Sequence, residues 1–310
     1  TIEYLEKGNS THNELSKTMM VLPFEPNNSI NAKEEINISS TKDLTIKTSM
    51  SSKNINLNSK GSINIESTTK RRNTLNGYYE TLLRTVVKAE EDLSIKAHNN
   101  VLLDSATLEA GRKGEITAST VLCKAKPLTN YSEVTTTSKR KITTTKTTDI
   151  KQEVSVIKAG EQFSINASTG VLQQGAKNIN VRINAPVIIQ EAVKDEHHVE
   201  THTIRKKKGG IAGFASSCFG GNSRKEIHQS SHSLISKGTE NNGDNFIANA
   251  IKRFNAIGSR FSSLKTEIRA GEDIEIKVSN NTFNSQTQTK STGLVWNKVK
   301  SKAHTHLTNN

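Results

Sequence analysis

The chain has 310 residues and a formal net charge of +13, with 32% hydrophobic and 4% aromatic residues. So thin an apolar fraction argues against an ordinary compact globule of this length. No run approaches the ~18 apolar residues of a membrane-spanning helix, so no membrane span is expected.

Residues 1–29 are a weakly periodic lead-in ending near Pro23 and Pro26. Thr1-Ile2-Glu3-Tyr4 is neither an initiator methionine nor a signal peptide, which suits an interior piece of a longer protein. From 30 to 68 the pairs Ile36/Ile38, Leu44/Ile46, Ile55/Leu57 and Ile63/Ile65 each have the period of two that marks a strand. Ile36 to Ile55 and Leu44 to Ile63 both span 19 positions. Ser, Lys, Asn, Asp and Gly between the pairs supply turns. Two short strands and two turns in 19 residues describe one coil of a parallel β-solenoid, rising about 4.8 Å per coil. A thin solenoid needs only a narrow apolar column, and periodic isoleucine pairs argue against disorder.

Residues 69–88 interrupt the coils, and Tyr78, Leu82, Leu83, Val86 and Val87 there favour strands. Coils return over 89–128. Residues 129–157 are rich in Thr and Lys and predict an exposed hairpin leaving the rod. Residues 158–193 are coils again. Residues 194–262 read as one long extension with a Gly-rich centre. Within it, Phe246 to Phe254 places apolar residues at helical spacing beside basic ones, predicting a short helix lying on the rod. Residues 263–283 form a last coil, and 284–310 a terminal extension.

One phrase recurs at Ala32-Lys33-Glu34-Glu35-Ile36-Asn37-Ile38, Ala89 to Ile95, Ala159 to Ile165 and Ala270 to Ile276. Each copy must bury its face against the next, so Ile36, Ile38, Leu93, Ile95, Phe163, Ile165, Ile274 and Ile276 are the expected core. The acids of the phrase recur at one place, before a strand, and read as turn residues rather than as catalytic carboxylates.

The basic runs lie between the coil blocks: Lys70-Arg71-Arg72, Lys139-Arg140-Lys141 and Arg205-Lys206-Lys207-Lys208. They are the candidate sites for anionic glycans. Nucleic acid is disfavoured, because only Tyr78 and Tyr79 supply stacking aromatics nearby. Cys123 and Cys218 show no metal-type spacing. His198/His202 and His228/His232 share a face on a helix or a strand, a geometry able to hold Zn²⁺ or Cu²⁺. They nonetheless read as surface histidines, and no metal or cofactor is expected. The Gly209-Gly210-Ile211-Ala212-Gly213 stretch lacks the Gly-Lys-Ser/Thr ending of a phosphate loop.

The extensions have their own spelling: Glu200-Thr201-His202-Thr203 runs into Lys206, Gly209 and Gly210, and Gln286-Thr287-Gln288-Thr289 into Lys290 and Gly293. With the 19-residue coil and the Ala-Gly-Glu-Asp-Ile-x-Ile phrase, this resembles filamentous haemagglutinin and contact-dependent inhibition exoproteins of two-partner secretion. The resemblance implies a right-handed parallel β-helix stem with extra-helical hairpins or loops, and export through an outer-membrane transporter to the surface of a Gram-negative bacterium. The implied role is adhesion, toward anionic glycans or a cell-surface receptor, rather than catalysis. A second reading is a stem presenting a downstream toxin; a carbohydrate-active β-helix enzyme is a remote third. Thr239-Glu240-Asn241-Asn242 is similar to the boundary that precedes toxins in that family, but a coil phrase follows, so it reads as a surface turn.

Overall fold

A computed structural model describes residues 14–15, 20–21, 29–206, 224–292 and 297–309. Among them there is no helix, and the strands fall into two sheets. The larger sheet is parallel and winds into a solenoid. Each coil contributes strands at three positions, and each position stacks in register along the rod. The first runs Ile36, Ile55, Leu93, Gly114, Phe163 and Val181. The second runs Leu44, Ile63, Val101, Val121, Val171, Ile188, Phe254 and Ile274. The third runs Ile30, Met50, Val87, Leu108, Ile157, Asn178, Asn241 and Phe261. In the lead-in, Glu14–Leu15 and Met20–Val21 stack beneath the first coil.

The inward side chains form one continuous core. Ile36, Leu93, Ile95, Phe163 and Ile165 are buried in it as expected, and Ile38 is half-buried against it. Ile274 and Ile276 correct the expectation: they are 46% and 55% exposed. Both lie on the last described coil, which has Phe254 and Ala256 on one side only, so no further rung covers them. Large residues are matched by small ones along a column. A Cβ on Gly114 would lie 2.2 Å from Cδ2 of Phe163, so the glycine makes the space that the ring fills. Cys123 is buried and free, and burial pushes its thiol up to about 12. Cys218 lies outside the described residues.

Part of the core is polar. Gln173, Asn178, Gln190 and Asn241 are fully buried. Asn178 Nδ2 donates to Gln173 Oε1 (2.9 Å) and Asn241 Oδ1 (2.8 Å). Gln190 Nε2 donates to Gln173 Oε1 (2.9 Å), and Asn241 Nδ2 to Gln190 Oε1 (3.1 Å). Four amides thus satisfy one another across two stacked positions, which removes most of the penalty of burying them. Thr239-Glu240-Asn241-Asn242 is therefore not a surface turn: Asn241 is an interior rung. The expected helix at Phe246 to Phe254 is likewise part of the strand Glu240–Ile257, with Phe246, Ala248, Ala250 and Phe254 buried.

The recurring acids sit at one corner of the rod and meet bases from neighbouring coils. Lys53 lies between Glu34 (4.0 Å) and Glu91 (3.8 Å), and Arg112 pairs with Asp92 (2.6 Å). The hydrogen bond from Arg112 holds the Asp92 carboxyl below its usual range. These are exposed pairs between stacked corners, each of which contributes little on its own.

All extensions leave the rod at the same place, between the second and third strand positions. They do so on alternate coils. Two-residue links at 47–48, 105–106, 175–176 and 258–259 close the bare coils. Three begin with a left-handed residue, Ser105 (φ 55°), Gly175 (φ 62°) and Gly258 (φ 66°). The coils between them carry hairpins: Thr68–Thr74 with Gly77–Leu83, Lys126–Ser138 with Lys141–Glu153, Val193–Lys206 with Arg224–Lys237, and Asn280–Thr292 with Asn297–Asn309. The third extension is thus shorter than the 194–262 read from sequence, because 240–257 returns to the coil. Two coils rise about 9.6 Å and a two-stranded hairpin is about 9.6 Å wide. With these periods matched, successive hairpins meet edge to edge. They join into one eight-stranded antiparallel sheet, a fin running along the rod.

Candidate functional site on the hairpin sheet

Residues opposite each other in a sheet share a face, so register alone assembles the fin's surfaces. The row nearest the tips reads Ser138, Lys141, Arg205, Lys225, Ser291 and Lys298. Lys141 to Lys298 spans four strand steps, about 19 Å. The next row on that face is Thr136, Thr143, Thr203, Ile227, Thr289 and Lys300, followed by Val134, Thr145, Thr201, Gln229, Thr287 and Lys302. Thr143 and Thr203 hydroxyls are 3.3 Å apart. Beside the cations the face is largely threonine, with Thr203 buried. Among the described residues no carboxylate lies within ion-pair distance of Lys141, Arg205, Lys225 or Lys298. Lys141, Arg205 and Lys225 stand one strand step apart, closer than a Debye length of about 8 Å, so their potentials add, and Lys298 lies two steps beyond Lys225.

The structure brings together two of the three basic runs. Lys139 and Arg140 form the turn of the second hairpin, Lys141 and Arg205 are direct partners, and the backbone of Lys206 pairs with Arg224. Lys207, Lys208 and the glycine stretch at 209–213 lie outside the described residues. Lys70, Arg71 and Arg72 stand apart, on the outer strand of the short first hairpin. Its Gly77 pairs with Ser132, six residues below Ser138, about 20 Å down the fin. There Arg71 stacks 3.3 Å from the Tyr78 ring centre, and Tyr78 packs on Tyr131 at 5.9 Å. Those aromatics are occupied by the sheet itself. The Tyr131 hydroxyl donates to Glu133 (2.9 Å), and that bond raises the phenol above its usual range. Sequence reasoning missed Lys225, Lys298, Lys300 and Lys302. Only the period-two spacing of Lys298, Lys300 and Lys302 marked them as one face of a strand.

The opposite face carries the histidines. A groove there is lined by Glu133, Lys146, Glu200, His202, His228 and Gln286 among others. His202 and His228 stack with ring centres 4.0 Å apart, and His198 meets His232 edge-on at 5.7 Å. On the first face His197 Nδ1 lies 2.5 Å from Asp149 Oδ1. The arrangement offers binding chemistry: a row of point charges beside threonines on one face, and imidazoles beside carboxylates on the other. Compared with protein-family models, with curated proteins and with solved structures, the chain matches none.

Proposed function

We propose that this chain is a segment of a secreted, haemagglutinin-like stem: a right-handed β-helix of about 19 residues per coil whose fin is an adhesive surface for anionic polysaccharide. The Lys141, Arg205, Lys225 and Lys298 row carries the reading. These cations come from three hairpins, have no carboxylate within ion-pair distance among the described residues, and stand in line beside threonines. An extended chain bearing sulfate or carboxylate at intervals can lie along such a row, its charges on the cations and its hydroxyls on the threonines. The solenoid positions the row, and the role is binding rather than catalysis. Export to the outer surface of a Gram-negative cell through a β-barrel transporter belongs to the same reading and rests on the sequence resemblance.

Heparin chromatography of the full chain tests it. The R205S/K225S variant is expected to elute at lower salt and bind about tenfold more weakly, about 0.7 kcal/mol for each exposed contact. K70S/R71S/R72S, which touches the distant run, is expected to change elution less. Unchanged elution of R205S/K225S would overturn the assignment of the row.

A further inference from the structure

The two strands of the third hairpin carry the same spelling. Glu196-x-His198-x-x-x-His202 faces Glu226-x-His228-x-x-x-His232. Antiparallel register sets His198 opposite His232 and His202 opposite His228. The strands are thus related by a local two-fold, and each glutamate falls beside one cross-strand histidine pair. At the upper pair, ligand atoms of His202, Glu226 and His228 all lie within 4.8 Å of one another. At the lower pair, Glu196 Oε2 is 3.7 Å from His232 Nε2, and Glu200 Oε1 is 3.1 Å from His198 Nε2.

One further observation singles out the upper cluster. Nε2 of His202 is buried and has no hydrogen-bond partner among the described residues. A buried imidazole nitrogen left so is destabilising, and such an atom calls for an explanation. It lies where two further donors converge, on the wall of the groove described above.

We propose that the third hairpin binds a divalent transition-metal ion at one cross-strand site, formed by His202, Glu226 and His228. Two imidazoles and one carboxylate suit Zn²⁺, Ni²⁺ or Cu²⁺ and are a poor set for Mg²⁺ or Ca²⁺, which take oxygen ligands. Three protein ligands leave a position for water or for a group entering the groove. The rings of His202 and His228 stack at 12°, so binding splays them through χ2, a soft torsion. The lower histidine pair stands four residues away along the strand, about 14 Å, and its rings are met separately by Glu196 and Glu200. The ion clamps Val193–Lys206 to Arg224–Lys237 across the fin's third hairpin. This inference is independent of the glycan reading, because it uses the other face.

Calorimetric titration of the full chain with ZnCl₂, and with MgCl₂ as control, tests the proposal. One zinc ion per chain is expected and no magnesium. H202A/H228A is expected to lose it and H198A/H232A to keep it. E226Q is expected to weaken the site by roughly tenfold, the effect of removing one anionic ligand. Circular dichroism of each metal-free variant checks that the fin persists, since these are surface-strand substitutions. Absence of zinc binding at tens of micromolar, or a stoichiometry unchanged in H202A/H228A, would overturn it.

Discussion

Phe163 occupies the core because the residue in register beneath it has no side chain. Restoring one is a direct test of how tightly the column is packed. Gly114→Ala would set a methyl group against the Phe163 ring, and overpacking of this kind costs about 1–3 kcal/mol. Chemical denaturation should show that loss, and Phe163→Leu should recover part of it when combined with Gly114→Ala. Additive losses would mean that the two positions do not share the space. The buried amides follow a related logic. Gln173, Asn178, Gln190 and Asn241 break the apolar-x-apolar pattern, and the neighbourhood of Asn241 reads as a turn. Only partners 5 to 63 positions away make them acceptable inside, and no local pattern carries that information. The isoleucine pairs were legible because each one declares its inward face alone. Ile274 and Ile276 declare the same face, but their exposure is set by what stacks on them.

At the scale of elements, the strand pairs and the second hairpin could be read from period and composition. The 129–157 extension of the sequence reading is the Lys126–Ser138/Lys141–Glu153 hairpin within a few residues. The segment from Phe246 to Phe254 was misleading for a geometric reason. Phe246, Ala248 and Ala250 point inward with period two, the chain then turns a corner through 251–253, and Phe254 and Ala256 resume. The corner shifts the phase and mimics a helical spacing. The hairpins behave as inserts at one corner, so one can be removed. Replacing 125–155 by a Gly-Ala link like the bare turn at 175–176 should leave the solenoid folded. It should also open a gap of about 9.6 Å in the fin. Limited proteolysis is then expected to cut the first and third hairpins faster, with the coils still protected. Loss of the whole fold would show that the hairpin is part of the core rather than an insert.

For the whole molecule, the governing fact is a match of periods. Hairpins on every second coil are as wide as the rise between them, so extensions separated by tens of residues close into one surface. Sequence showed the alternation of coil block and polar extension. It could not show that the extensions pair, because cross-hairpin register leaves no mark within any single hairpin. The basic row and the histidine pairs exist only at that level. Pairing between the second and third hairpins can be measured by oxidative cross-linking of Thr145→Cys with Thr201→Cys, in a chain carrying Cys218→Ser. The two positions are partners in register, about 4.5–5.5 Å between Cα atoms in such a ladder, within the span of a disulfide. Thr145→Cys with Thr287→Cys lies three strands apart, about 14 Å, and serves as the comparison. A fused fin requires rapid, near-complete cross-linking of the first pair and none of the second. Failure of the first pair to cross-link, or equal yields from both, would mean that the hairpins stand separately along the rod.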